Sequence, residues 1–102
     1  MKEITFYGKY AKLIADNKKT QTIRLWTKCS LKTDDIVILN CKTQNFQAKI
    51  VNIENILYSN LTNEIALFDG FNTLQDLQKA LQITYPNINQ NSNIFVIRWE
   101  LL

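Results

Sequence analysis

The chain has 102 residues, 46% of them hydrophobic, enough for one domain to bury a core without disulfide or metal staples and too few for a second domain. It has no histidine, and Cys29 and Cys41 form no CxxC pair, which removes the commonest zinc ligand and the usual base of a Ser-His or Cys-His site. Twelve Lys plus Arg against nine Asp plus Glu leave a formal charge of +3, a mild bias toward anionic partners that falls short of a dedicated nucleic-acid arm.

In chain order, Ile4-Thr5-Phe6-Tyr7 is β-prone, and Tyr10, Leu13 and Ile14 then recur at helical spacing up to a turn signal at Asp16-Asn17. From Thr20 to Trp26 strict alternation puts Thr20, Thr22, Arg24 and Trp26 on one strand face and Gln21, Ile23 and Leu25 on the other. The run Ile36-Val37-Ile38-Leu39-Asn40-Cys41 reads as a strand buried on both faces of a barrel wall. A turn near Thr43-Gln44-Asn45 leads to Phe46 through Ile53, where the alternation changes phase and predicts a β-bulge near Ile50-Val51.

Thr62 is placed to cap a short helix through Phe68, ended by Asp69-Gly70, and Thr73 a second helix whose buried stripe is Leu74, Leu77 and Leu81. That helix has to stop before Pro86. After an Asn-rich loop, Ile94 to Glu100 closes the chain as a strand with Phe95, Ile97 and Trp99 on one face. The order β-α-β-β-β-α-α-β has three consecutive strands without helical crossovers, so an α+β barrel is expected rather than a doubly wound parallel sheet. Burial of Ile36, Ile38, Leu77, Leu81 and Ile97 follows from that reading. No apolar run suits a signal peptide or a membrane span, and a cytoplasmic domain is expected.

The chemistry concentrates in Lys18-Lys19-Thr20-Gln21-Thr22-Ile23-Arg24, at a helix-to-strand junction. Its amines, hydroxyls and guanidinium can bind a carbonyl, a phosphate or a base edge. Equally, the lysines can decorate a surface turn while the threonines act as plain β-formers. Whether Lys19 reaches the face of Thr22 and Arg24 depends on an irregular strand start. Thr22 needs a base before it can act as a nucleophile, and an amine can serve if burial or nearby cations bring its pKa down from about 10.4. Trp26 on the Arg24 face is a candidate pocket wall, and Tyr85 can stack on a pyrimidine or simply fill core.

Ile4-Thr5-Phe6, Lys19-Thr20-Gln21-Thr22-Ile23-Arg24, the β-hairpin, Thr73-Leu74 through Tyr85-Pro86 and Phe95-Val96-Ile97 together resemble a YqfB-like ASCH domain over nearly the whole chain. The most specific element is the K-T-x-T-I-R string combined with the later L-x-x-L-x-x-x-x-x-x-x-Y-P helix. The resemblance implies a single PUA-like barrel and hydrolysis of the acetyl amide of N4-acetylcytidine by a Lys, Thr and Glu set; no cofactor is expected, and no metal in a chain without histidine.

On that resemblance the Lys and Thr fall on Lys19 and Thr22. An ungapped alignment back from Thr73-Leu74 puts the family's Glu at Gly70, whereas one extra loop residue puts Asp69 there, and Asp69 is the assignment adopted. Arg24, Thr20, Trp26 and Tyr85 become substrate-binding candidates, with Arg24 also a stabiliser of developing negative charge. Arg98 stands where the family pattern has an acid, and Asp34 replaces a turn glycine, which Asp tolerates at positive φ. The implied partner is a small nucleoside or an RNA containing a modified cytidine. The rival expectation is a non-catalytic RNA-binding module.

Overall fold

A computed structural model describes residues 1–102. Strand β1 (Lys2–Thr5) leads through a 3-10 turn at Gly8–Tyr10 into α1 (Ala11–Ala15), followed by β2 (Gln21–Arg24), β3 (Ile36–Asn40) and the long β4 (Asn45–Leu57). After a second 3-10 turn at Tyr58–Asn60 come α2 (Asn63–Phe68), α3 (Leu74–Thr84) and β5 (Asn93–Leu101). The element order is the expected one. All five strands form one sheet in the order β1-β3-β4-β5-β2, parallel only between β1 and β3. No helix is long and apolar enough to cross a membrane.

Local chemistry explains most element boundaries. The Thr62 hydroxyl accepts from the Ile65 amide and the Thr73 hydroxyl from the Asp76 amide, so both predicted caps start their helices. Helix α3 ends at Thr84, clear of Pro86. The register of β4 against β5 slips between Ile50 and Asn52, at the predicted phase change. Asn17, Asp34 and Lys42 adopt positive φ, each in a turn where a local side-chain or backbone bond offsets part of the strain.

The edge strands nearly close the sheet. Arg24 Nη2 of β2 donates to the Thr5 carbonyl of β1 at 2.7 Å, tying one edge to the other through a side chain. Strand β5 lies between two cores: Ile97 and Trp99 join Ile4, Phe6, Ile14 and Leu39 on one side, while Ile94 and Val96 join Ile23, Ala66, Leu77 and Leu81 on the other. Leu77, Leu81 and Ile97 are buried as expected.

Strand β3 corrects the sequence reading. Val37, Leu39 and Cys41 are buried, but Ile36 is 38% exposed and Ile38 only half-buried. One face of β3 packs into the core that includes Ala11 and Ile14 of α1, while Ile36, Ile38 and Asn40 alternate onto the other face, which stays partly open. An apolar run by itself does not distinguish a two-sided from a one-sided strand.

Candidate active site

Lys19 precedes the first residue of β2, and its amide bonds to the Leu13 carbonyl at 3.1 Å, an irregular strand entry that frees its side chain from the alternation beginning at Gln21. The side chain turns inward and is 3% exposed. Its Nζ donates to the Asp69 backbone carbonyl at 2.9 Å and lies 3.2 Å from Asp69 Oδ2. Asp69, the C-cap of α2, is 4% exposed. It is therefore the acid that meets the lysine. Gly70 cannot fill that role: it has φ +93°, and a Cβ there would stand 3.3 Å from Lys19 Cβ.

Burial drives both members of the pair toward their neutral forms. It pulls the Lys19 amine below its ordinary value, helped by Arg24 and opposed by the Asp69 charge and hydrogen bond. It pushes the Asp69 carboxyl above the usual carboxylate range, against the pull of Lys19, Gln21 and Arg24. The Lys19 Nζ also faces the Tyr10 ring at 5.0 Å and the Phe6 ring at 5.9 Å, so water does not surround it.

Thr22 is 4% exposed, and its Oγ1 accepts a hydrogen bond from Arg24 Nε at 2.9 Å. Arg24 also bonds to Thr5 and lies 4.9 Å from the Phe6 ring centroid. Burial lowers its guanidinium, but the starting value is so high that it keeps its charge. No hydrogen bond joins Lys19 to Thr22. The amine's bonds go to Asp69, and the hydroxyl's goes to Arg24.

These groups share a cavity of about 260 Å³. Lys19, Thr22, Arg24 and Asp69 are its polar wall, and Tyr85 with Phe6, Tyr10 and Phe71 supplies aromatic faces. Its size is near the lower end of small-molecule pockets, roughly 300–1,000 Å³. Two predicted substrate contacts fall elsewhere. Thr20 does not line the cavity; its amide donates to the Phe68 carbonyl at the end of α2 at 2.9 Å, and its carbonyl accepts from the Trp99 amide of β5 at 3.1 Å. Trp26 lies past the end of β2 with its ring 5.9 Å from the Arg24 guanidinium, on the side expected, but it packs against the first core and does not line the cavity.

Gln21 is the residue that sequence reasoning missed. It is fully buried, with its Nε2 donating to the Ile65 carbonyl at 2.9 Å and to Asp69 Oδ1 at 3.3 Å. Its Oε1 accepts from Arg98 Nε at 3.4 Å, so the amide is satisfied on both ends in one orientation. Alternation placed Gln21 on the face opposite Thr22 correctly; the missing information was that the end of α2 packs over that face. A buried-side Gln between two β-branched residues was the available signal.

No family model and no curated protein matches this sequence. Among solved structures, the chain is similar to an ASCH domain from Lactobacillus crispatus JV V101, with a TM-score of 0.84 and 10% identity over 98% of this chain and 79% of that one. It is also similar to protein EF3133 from Enterococcus faecalis V583, of family DUF984, with a TM-score of 0.75 and 13% identity over 100% of this chain and 76% of that one. The hypothetical protein PH0355 aligns over the full length of both chains, with a TM-score of 0.67 and 23% identity. The five-stranded curled sheet with its three helices is thus an ASCH fold of the PUA-like class.

Proposed function

We propose that this protein is an amidohydrolase that removes the acetyl group from N4-acetylcytidine or a closely related N-acylated pyrimidine nucleoside. The observation that carries the reading is a lysine amine, pushed toward neutrality by burial, in one small cavity with a threonine hydroxyl, an arginine and an acid that burial pushes above the usual carboxylate range. Such a set suits acyl transfer without histidine or metal.

The Lys19–Asp69 pair holds one labile proton. With that proton on Asp69, the Lys19 amine takes the Thr22 proton as Oγ1 attacks the acetyl carbonyl, and the Arg24 guanidinium stabilises the oxyanion. Asp69 then gives its proton to the cytosine nitrogen as the amide bond breaks, leaving acetyl-Thr22, a Lys19 ammonium and an Asp69 carboxylate. Water attacks the ester, its proton passes to Asp69, and the departing Thr22 oxygen recovers a proton from Lys19. The net change is amide plus water to amine plus acetic acid, and the pair returns to its starting state. Lys19 and Thr22 come within hydrogen-bonding reach when substrate binds, since catalytic contacts in empty pockets often tighten only on binding.

Incubating the folded protein with N4-acetylcytidine and resolving the products by chromatography tests this directly. Cytidine and acetate are expected. No product at high enzyme concentration overturns the hydrolase, and steep loss of RNA affinity with salt in the same preparation would put a non-catalytic RNA module in its place.

A further inference from the structure

The charges around the cavity do not balance for a neutral ligand. Lys19 and Asp69 answer each other, and Asp69 is the only carboxylate in the lining. Arg24 also lines the cavity, but its hydrogen bonds go to a hydroxyl and a backbone carbonyl, neither of them a countercharge. Lys42 lines it too, and its ammonium has neither a hydrogen bond nor an ion pair. Arg24 and Lys42 therefore line a small, partly apolar space with no carboxylate bonded to either, an arrangement that concentrates anions.

Their positions form a sequence. Thr22 and Arg24 are neighbours on one face of β2; Arg24 reaches the Thr5 carbonyl at the end of β1; Thr5 pairs with Asn40, the last residue of β3. Lys42 lies two residues beyond Asn40, in the β3–β4 turn. The path thus runs from the reacting hydroxyl outward and ends at Lys42, the exposed cation of the lining. Lys42 has φ +69°, and its amide donates to Asn40 Oδ1 at 2.8 Å, so the turn holds a lysine in a left-handed conformation that bulkier residues avoid.

We infer that Lys42 marks an anion subsite at the cavity mouth, and that the substrate is an N-acylated pyrimidine nucleoside 5′-monophosphate in preference to the nucleoside. In a ligand whose acyl amide reaches Thr22, the sugar's 5′ end is the part remote from the chemistry, which matches the remote position of Lys42. A phosphate there gives a charge-assisted contact to an ammonium that otherwise has none. The reaction is unchanged: the acyl nucleotide plus water gives the nucleotide and a carboxylic acid. This assignment rests on the hydrolase reading for the orientation of the ligand, but not for the existence of the anion site.

Calorimetric titration of the intact protein with cytidine and with cytidine 5′-monophosphate tests the site without catalysis. The phosphate should tighten binding by at least about tenfold at low salt, less at high salt. Lys42→Asn, which tolerates positive φ but carries no charge, should bring the affinity ratio to about one, and Lys42→Arg should keep it. Equal affinities in the native protein, an unchanged ratio in Lys42→Asn, or no binding of either ligand overturns the subsite. A short oligocytidylate that binds more tightly than the mononucleotide also overturns it, in favour of RNA. Comparing kcat/KM for N4-acetylcytidine with and without the 5′-phosphate separates the two proposals. Turnover of both at equal efficiency keeps the hydrolase and removes the subsite; a Lys42-dependent phosphate preference in binding with no turnover of either does the reverse.

Discussion

Lys19 and Thr22 share a cavity without touching, so the form of their mutational losses distinguishes a working pair from mere neighbours. Lys19→Ala and Thr22→Ala should each lower turnover at least about a hundredfold with the fold intact, and the double variant should be hardly worse than either single. Multiplying losses would assign them independent roles, and native turnover in Lys19→Ala would end the mechanism. The pH profile gives a second check. Activity needs the pair to hold its one labile proton, so kcat/KM should be bell-shaped, rising as the doubly protonated pair loses a proton and falling as it loses the last one, below the ordinary lysine value as burial dictates. Asp69→Asn removes the acid, so the falling limb should disappear, leaving a single rise as Lys19 loses its proton, with a lower maximum rate. Gln21→Glu keeps the shape and the acceptor for Arg98 but puts an acid against Asp69 Oδ1; it should raise the Asp69 pKa and lower kcat with little change in KM. The sequence exposed Thr22 and Arg24 as one face and left the reach of Lys19 open. It could not reveal Gln21 as a partner of Asp69, because their contact joins positions 48 apart.

At the level of elements, caps and turns were legible because their causes are local. Thr62, Thr73 and the bulge after Ile50 each depend on a few adjacent residues. The two-sided burial expected for β3 failed because burial depends on what packs over a strand, which adjacent residues do not encode. Denaturant unfolding should reflect this: Ile36→Ala should cost under about 1 kcal/mol, whereas Leu39→Ala should cost about 2–5 kcal/mol as a core truncation. The α2–α3 junction is equally unforgiving. Gly70→Ala forces a Cβ toward the Lys19 stem at positive φ, and roughly 1–2 kcal/mol of backbone strain is expected together with reduced turnover. Burial of the pair between β2 and α2 also carries a stability cost. Lys19→Met leaves Asp69 without its cation, so its folded pKa rises further above the unfolded value of about 3.9. A raised folded pKa means stability present at low pH and lost as pH rises through it, so this variant should melt progressively lower from pH 4 upward. Adding Asp69→Leu should restore stability to near or above the native level, since a buried ion pair often exchanges for apolar packing without loss.

Across the whole molecule, the sequence carried the fold class, because element order and the lack of crossovers restrict topology strongly. It carried the cavity only in part: the lining draws on residues from Thr5 to Tyr85, brought together by the curl of the sheet. Arg24 belongs to that curl as well as to the site, through its bond between the two edge strands. Arg24→Lys should therefore lower the melting temperature as well as turnover, since an ammonium cannot span the Thr22 hydroxyl and the Thr5 carbonyl as a guanidinium fork does. The way Lys19 is held has a different implication. Its amine rests on the backbone carbonyl of residue 69 as well as on that residue's side chain, and every amino acid possesses the carbonyl. Location and proton inventory are thus under separate control: drift at position 69 can retune or silence the reaction while the lysine stays at its post, so silent and active descendants of this fold would look alike in outline and differ by one side chain.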